Sequence, residues 1–183
     1  MLHLNKKEKI SVYIVDDDDL HLRILEKNFK ASTSYEIHTV TSGEYFLRDF
    51  LVRQSTKSNS KKNHQVVVLD YFLKTADNKD AKNGLEVLKT IKEIDPNVDV
   101  IMLSGIDDVE IATTCMRYGA ANFILKNENS FQRIHNNIKW MISEKNLNRK
   151  HKGSKNILIL LILILIVFFI SALALFVLYP DLF

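Results

Sequence analysis

The chain of 183 residues has one cysteine, Cys115. A lone thiol closes no internal bridge, which excludes a disulfide scaffold and suits a reducing compartment. A large charge excess is also missing, since 25 Lys and Arg against 22 Asp and Glu leave +3. A dedicated nucleic-acid binder is far more basic, so no direct nucleic-acid contact is expected. There is no internal repeat. Met1 to Lys9 is polar and basic, and no apolar stretch of leader length follows, so no secretory signal is expected. The five histidines before residue 148 show no metal-ligand spacing.

What is present falls into two parts. Residues 157–178 are 22 consecutive positions with one polar side chain, Ser171, and nineteen of them are Leu, Ile, Val or Phe. As a helix the run spans roughly 33 Å, against a hydrocarbon core of about 30 Å. A transmembrane helix is expected over 157–179, with a short extracytoplasmic tail at 180–183. Every Lys and Arg precedes the run, and Lys145, Arg149, Lys150, Lys152 and Lys155 come just before it. The positive-inside bias then puts residues 1–156 in the cytoplasm, anchored to the inner (cytoplasmic) membrane by one pass. Residues 148–156 read as a basic juxtamembrane linker. The run lacks GxxxG, so it does not specify a dimer.

The N-terminal part alternates strand-like and helix-like segments. Ile10–Val15, Glu36–Val40, Val66–Leu69, Val98–Leu103 and Phe123–Leu125 read as strands. Helical spacing follows each: Leu22, Leu25 and Phe29; Phe46, Leu47 and Phe50; Leu85, Leu88 and Ile91; Val109 to Tyr118; and Phe131, Ile134, Ile138 and Met141. Gln54–Gln65 and Lys74–Asn83 are polar and read as surface loops, and Gly119 reads as a helix C-cap. Five β-α units with continuous apolar strands predict an α/β fold, a doubly wound five-stranded parallel sheet. Ligands bind such sheets beyond the carboxyl ends of the strands.

Those ends carry Asp16 and Asp17, then Asp70, Ser104 and Lys126. Two like charges about 4 Å apart repel by about 4 kcal/mol at an effective dielectric of about 20. The cluster needs compensating charge, which Lys126 and a hard divalent cation supply. Mg2+ suits one or two carboxylates and a phosphate oxygen. Ser104 adds a hydroxyl donor. A carboxylate nucleophile, a cation site, an ammonium and a hydroxyl are the equipment for accepting a phosphoryl group.

Five motifs in this order, each at a strand end or helix start, resemble the CheY-like receiver domain of two-component response regulators. They are Val15-Asp16-Asp17, Val68-Leu69-Asp70, Asn83 to Leu88, Ile101 to Gly105, and Gly119-Ala120 through Lys126. The resemblance covers about residues 9–147 and implies a flavodoxin-like strand order, 2-1-3-4-5. It implies Asp70 as phosphoacceptor from a sensor histidine kinase or phosphotransfer protein. Asp17 and the Phe72 carbonyl would hold Mg2+ with Asp70, and Asp16 would join directly or through water. Ser104 would bind a phosphoryl oxygen, Lys126 would pair with Asp70 and then with the phosphate, and Phe123 would be the switch aromatic. The protein would catalyse at most its own phosphorylation and dephosphorylation. No effector domain is expected after the receiver, so output through the surface of the receiver to a protein target is expected, and a homodimer is admitted.

The sequence departs from that pattern in two places. The stretch from Asp70 to Gly84 is about six residues longer than usual, with Lys74 where proline is frequent. Its Asp77-Asn78-Lys79-Asp80 does not match a calcium loop, because Lys79 stands where a ligand belongs. Asn127 follows Lys126 where the family usually has a cis proline. Two other functions compete. One is a non-phosphorylated adaptor on the same fold. The other is a haloacid-dehalogenase-like phosphatase with Asp16 and Asp18 as its DxD motif and Asp107-Asp108 as its acidic pair. The second has the wrong motif order, since that acidic pair precedes Lys126.

Overall fold

The computed structural model describes residues 9–55, 63–73 and 82–178. Five strands alternate with five helices: β1 (Lys9–Val15), α1 (Asp19–Ser32), β2 (Glu36–Val40), α2 (Gly43–Ser55), β3 (Asn63–Asp70), α3 (Gly84–Ile94), β4 (Asp99–Ser104), α4 (Val109–Arg117), β5 (Asn122–Leu125) and α5 (Ser130–Leu178). All strand pairs are parallel, in the order β2-β1-β3-β4-β5. This is the expected doubly wound sheet.

Side-chain alternation along the strands separates two buried faces. Tyr13, Val15, Val67, Leu69, Val100 and Met102 share one core with Phe46, Leu47 and Phe50 of α2 and Val87, Leu88 and Ile91 of α3. The alternate residues Val12, Ile14, Val66, Val68, Ile101 and Leu103 are equally buried. On their side α1 contributes Leu22, Leu25 and Phe29, and α5 contributes Ile134 and Ile138. The Phe29 and Phe131 rings meet edge to face at 5.0 Å, joining α1 to α5.

Local signals set the helix starts. The Asp18 carboxylate accepts the amides of Leu20 and His21, so Asp18 is the N-cap of α1. Asn83 and Glu86 form a reciprocal capping box on α3. Asp108 caps α4 through the amides of Glu110 and Ile111. Gly119, just past α4, has φ +91°, as expected of a glycine stop.

Three expectations change. β3 starts at Asn63, inside the stretch read as a loop, because Asn63, His64 and Gln65 pair with Lys9, Ile10 and Ser11 of β1. Ladder hydrogen bonds there outweigh a polar composition. The juxtamembrane stretch 148–156 is part of α5, whose backbone stays helical through Gly153-Ser154. One interior glycine costs a helix only about 1 kcal/mol. The expected transmembrane helix is not supported: among the described residues no helix is long and apolar enough to cross a membrane. Residues 74–81 of the insertion and the tail 180–183 lie outside the described residues. The chain divides into two units, Met1–Trp140 and Met141–Phe183. The first holds the whole sheet, and the second is helical through Leu178.

The start of α3 lies directly on the residues that follow β3. The Gly84 amide donates to the Tyr71 carbonyl at 3.0 Å. A Cβ on Gly84 would lie 2.0 Å from the Asp70 carbonyl oxygen and 2.8 Å from Tyr71 Cα. Both are backbone atoms, so no side chain can turn aside. Gly105, by contrast, has nothing within 4 Å of its would-be Cβ. Gly84→Ala is therefore expected to cost about 3 kcal/mol, the upper end of overpacking, while Gly105→Ala leaves stability within about 1 kcal/mol of the parent. Urea denaturation of the two variants checks the contrast, and equal midpoints would contradict it.

Candidate functional site

Strand register brings the site together. Val15 of β1 is level with Leu69 of β3, Asp70 with Leu103 of β4, and Ser104 with Leu125 of β5. Asp16, Asp70, Ser104 and Lys126 therefore emerge at one edge of the sheet. Backbone bonds continue past the strands: Asp16 N–H to the Val40 carbonyl, Tyr71 N–H to Leu103, and Lys126 N–H to Ser104 at 2.7 Å. These bonds tie down the backbone from which each side chain projects.

Asp16 is fully buried and Asp70 is 3% exposed, while Asp17 is exposed. One carboxylate oxygen from each of the three lies within 4.8 Å of the others. Lys126 Nζ reaches both buried acids, at 2.7 Å from Asp16 Oδ2 and 3.0 Å from Asp70 Oδ2. The ammonium thus answers the repulsion inferred from the sequence. Asp16 has two further donors. The Asp18 amide donates to Oδ1 at 3.0 Å, and His21 Nδ1 lies 2.6 Å from Oδ2.

These contacts divide the two acids. Burial pushes the Asp16 carboxyl up, but hydrogen bonds from His21, Lys126 and the Asp18 amide outweigh it and hold the group below the usual carboxylate range. Burial dominates at Asp70 and, with the Asp16 charge, lifts it above that range against the pull of Lys126. Burial disfavours the Lys126 ammonium, yet its bonds to Asp16 and Asp70 raise it overall. Asp16 is the settled anion of the pocket, and Asp70 is the more basic carboxylate.

Asp70 Oδ1 is buried and has no hydrogen-bond partner among the described residues. A buried carboxylate oxygen left unmatched is costly. Beside two other acids, the matching group is a cation rather than a donor. Three carboxylates without nitrogen or sulfur ligands fit a hard divalent cation.

The remaining expected residues are positioned as follows. Ser104 is buried at the end of β4, and its hydroxyl both donates to the Ile106 carbonyl (3.0 Å) and accepts from the Ile106 amide (3.1 Å). It is at the correct edge but is bonded to its own loop. Phe72, two residues after Asp70, is half-buried, its ring 4.9 Å from that of Tyr71. Phe123 on β5 is half-buried against the core. No peptide bond is cis among the described residues, so Lys126–Asn127 is trans.

The acids a haloacid-dehalogenase-like phosphatase would require are committed elsewhere, because Asp18 caps α1 and Asp108 caps α4. The partnership of His21 with Asp16 is not readable from histidine spacing; its one signal in the sequence is its place in the first turn of the helix that follows Asp16-Asp17.

Comparison with known proteins agrees with this geometry. Residues 12–139 match the family described as the response regulator receiver domain. An uncharacterized transcriptional regulatory protein of Bacillus subtilis, YesN, is 34% identical over 70 residues, which is 38% of this chain and 19% of that protein. The chain spans only about a fifth to a third of the length of the curated relatives it matches. A receiver domain from Clostridium thermocellum superposes with a TM-score of 0.60 at 25% identity, covering 75% of this chain and 98% of that one. The CheX-CheY complex with BeF3 and Mg from Borrelia burgdorferi shares the fold, with a TM-score of 0.58 at 22% identity over 73% of this chain and 89% of the other. With the acids of β1 and β3 sharing one lysine from β5, and a family match spanning the whole sheet, the chain belongs to the response regulator receiver domain family.

Proposed function

We propose that Asp70 accepts a phosphoryl group from a histidine kinase or phosphotransfer protein in a Mg2+-dependent step. The observation that carries this reading is Asp70 itself: buried, raised above the usual carboxylate range, touched by Lys126 on one oxygen and unmatched on the other. Asp16, Asp17, Asp70 and the Phe72 carbonyl would hold the ion. When bound, Mg2+ supplies positive charge to the phosphoryl oxygens. The chain does the rest. The Asp70 carboxylate attacks phosphorus and forms the new P–O bond as the P–N bond to the donor imidazole breaks, and the electron pair leaves with that imidazole. Lys126 moves from the carboxylate to the charge that arrives. Ser104 releases the Ile106 carbonyl and donates to a phosphoryl oxygen, which ties the 104–108 loop to the modification. Phe123 turns inward in response. Phosphorylation would change affinity for a protein partner through the surface of α4, β5 and α5, without further enzymatic activity.

The same reading includes a membrane tether. Leu160 through Val167 are eight consecutive apolar residues, each exposed. Eight positions go more than twice round a helix, so no single face is apolar. A lipid phase covers such a surface on all sides. With the apolar run 157–178 and cations only on its N-terminal side, this supports a single anchor with the receiver in the cytoplasm. Confinement to the membrane raises the effective concentration of the receiver near membrane-bound kinases or targets.

Asp70→Asn should abolish covalent labelling by a small phosphodonor. It should also raise the thermal midpoint in metal-free buffer, because a buried carboxylate held above its usual range stabilises the fold when neutralised. Labelling that survives in Asp70→Asn but vanishes in Asp16→Ala would reverse the assignment. Failure of the parent chain to label would leave the adaptor function. Phe72 and the exposed Ile106, which flank the line of attack, offer no group to orient water, so the acyl phosphate is expected to last minutes or longer in Mg2+ buffer. Decay within seconds would contradict this. The full chain should sediment with membranes and resist carbonate extraction, while a truncation after Asn148 should be soluble and still accept phosphate. A soluble full chain would remove the tether alone.

A further inference from the structure

His21 is not one of the cation-binding acids, yet it touches one of them more closely than any other described side chain does. Its Nδ1 lies 2.6 Å from Asp16 Oδ2, and its side chain is 20% exposed, at the rim of a pocket whose Asp16 is fully buried. Asp16 already accepts from the Asp18 amide and pairs with the Lys126 ammonium, so it meets His21 as an acceptor and the hydrogen in this contact sits on Nδ1 of the imidazole. A neutral ring with that tautomer supplies it as well as a charged one.

Three donors fix the plane of the Asp16 carboxylate: the Asp18 amide on Oδ1, and His21 and Lys126 on Oδ2. They differ in permanence. The Asp18 amide belongs to the turn into α1. His21 stands in the first turn of the same helix, held by its own amide on the Asp18 cap. Lys126 is shared with Asp70, and in the function proposed above it moves to the phosphoryl group. A buried Asp16 gains little help from bulk water when the lysine leaves.

We infer that His21 is a positioning residue of the cation site, whose Nδ1–H holds the Asp16 carboxylate in the orientation the metal requires, whether or not Lys126 is on Asp16. This inference rests on the reading of Asp16, Asp17 and Asp70 as a Mg2+ site. Outer hydrogen-bond partners of metal-binding carboxylates fix ligand geometry, and their loss weakens metal binding.

Calorimetric titration of the metal-free full chain with MgCl2 tests it. His21→Ala and His21→Leu should bind Mg2+ about tenfold more weakly, while His21→Asn, whose amide nitrogen reaches about the place of Nδ1, should stay within about twofold of the parent. Unchanged or tighter binding in the Ala and Leu variants overturns the inference, and so does an Asn variant as weak as Ala. A parent chain that binds no Mg2+ overturns the cation site together with His21. Parent binding with indifferent variants overturns His21 alone. A second measurement needs no substitution: ring 15N shifts of His21 should show the hydrogen on Nδ1 in both metal-free and Mg2+-saturated protein. A bare Nδ1 in either state overturns the inference.

Discussion

Lys126 is in contact with two buried carboxylates at once, and the site is organised around that sharing. Neither acid could stay charged in so dry a place without a nearby cation. The ammonium lies closer to Asp16 than to Asp70, and Asp16 also has two other donors, so the pair splits into a settled anion and a more basic neighbour. In the function proposed above, the asymmetry makes one of two chemically identical side chains a support and the other a nucleophile. It depends on the sheet, because Asp16 follows β1, Asp70 ends β3 and Lys126 follows β5, and the parallel order brings these ends to one edge.

Much of this was legible in the sequence. Apolar strands alternating with helical spacing revealed the five β-α units. The acids and the lysine stand out because they follow the strands directly. Asp70 and Lys126 are readable because little else explains a charged residue directly after a buried strand. Asp18 and Asp108 are helix caps in the fold rather than the acids of a phosphatase motif.

What was not legible depends on contacts distant in sequence. Asn63, His64 and Gln65 have loop composition and become strand because β1 offers them a ladder. The contact between His21 and Asp16 depends on how α1 leaves the sheet, which periodicity does not encode. The loop bonding of Ser104 is also invisible in one dimension, although the residue itself was identified. The tether is a reading of the composition of residues 157–178.

The described residues on both sides of 74–81 are anchored to the fold. On one side Tyr71 is bonded to β4 through its amide and to Gly84 through its carbonyl. On the other, the Lys82 amide donates to Glu44 of α2 at 2.7 Å, and Glu44 is itself held by the Ser42 hydroxyl. Doubling the length of a loop between fixed ends costs only about 0.6 kcal/mol of closure entropy. The backbone next to Asp70 is held by β4 and by the start of α3, so a change of chain length between Leu73 and Lys82 carries a small entropic cost and leaves both anchors in place.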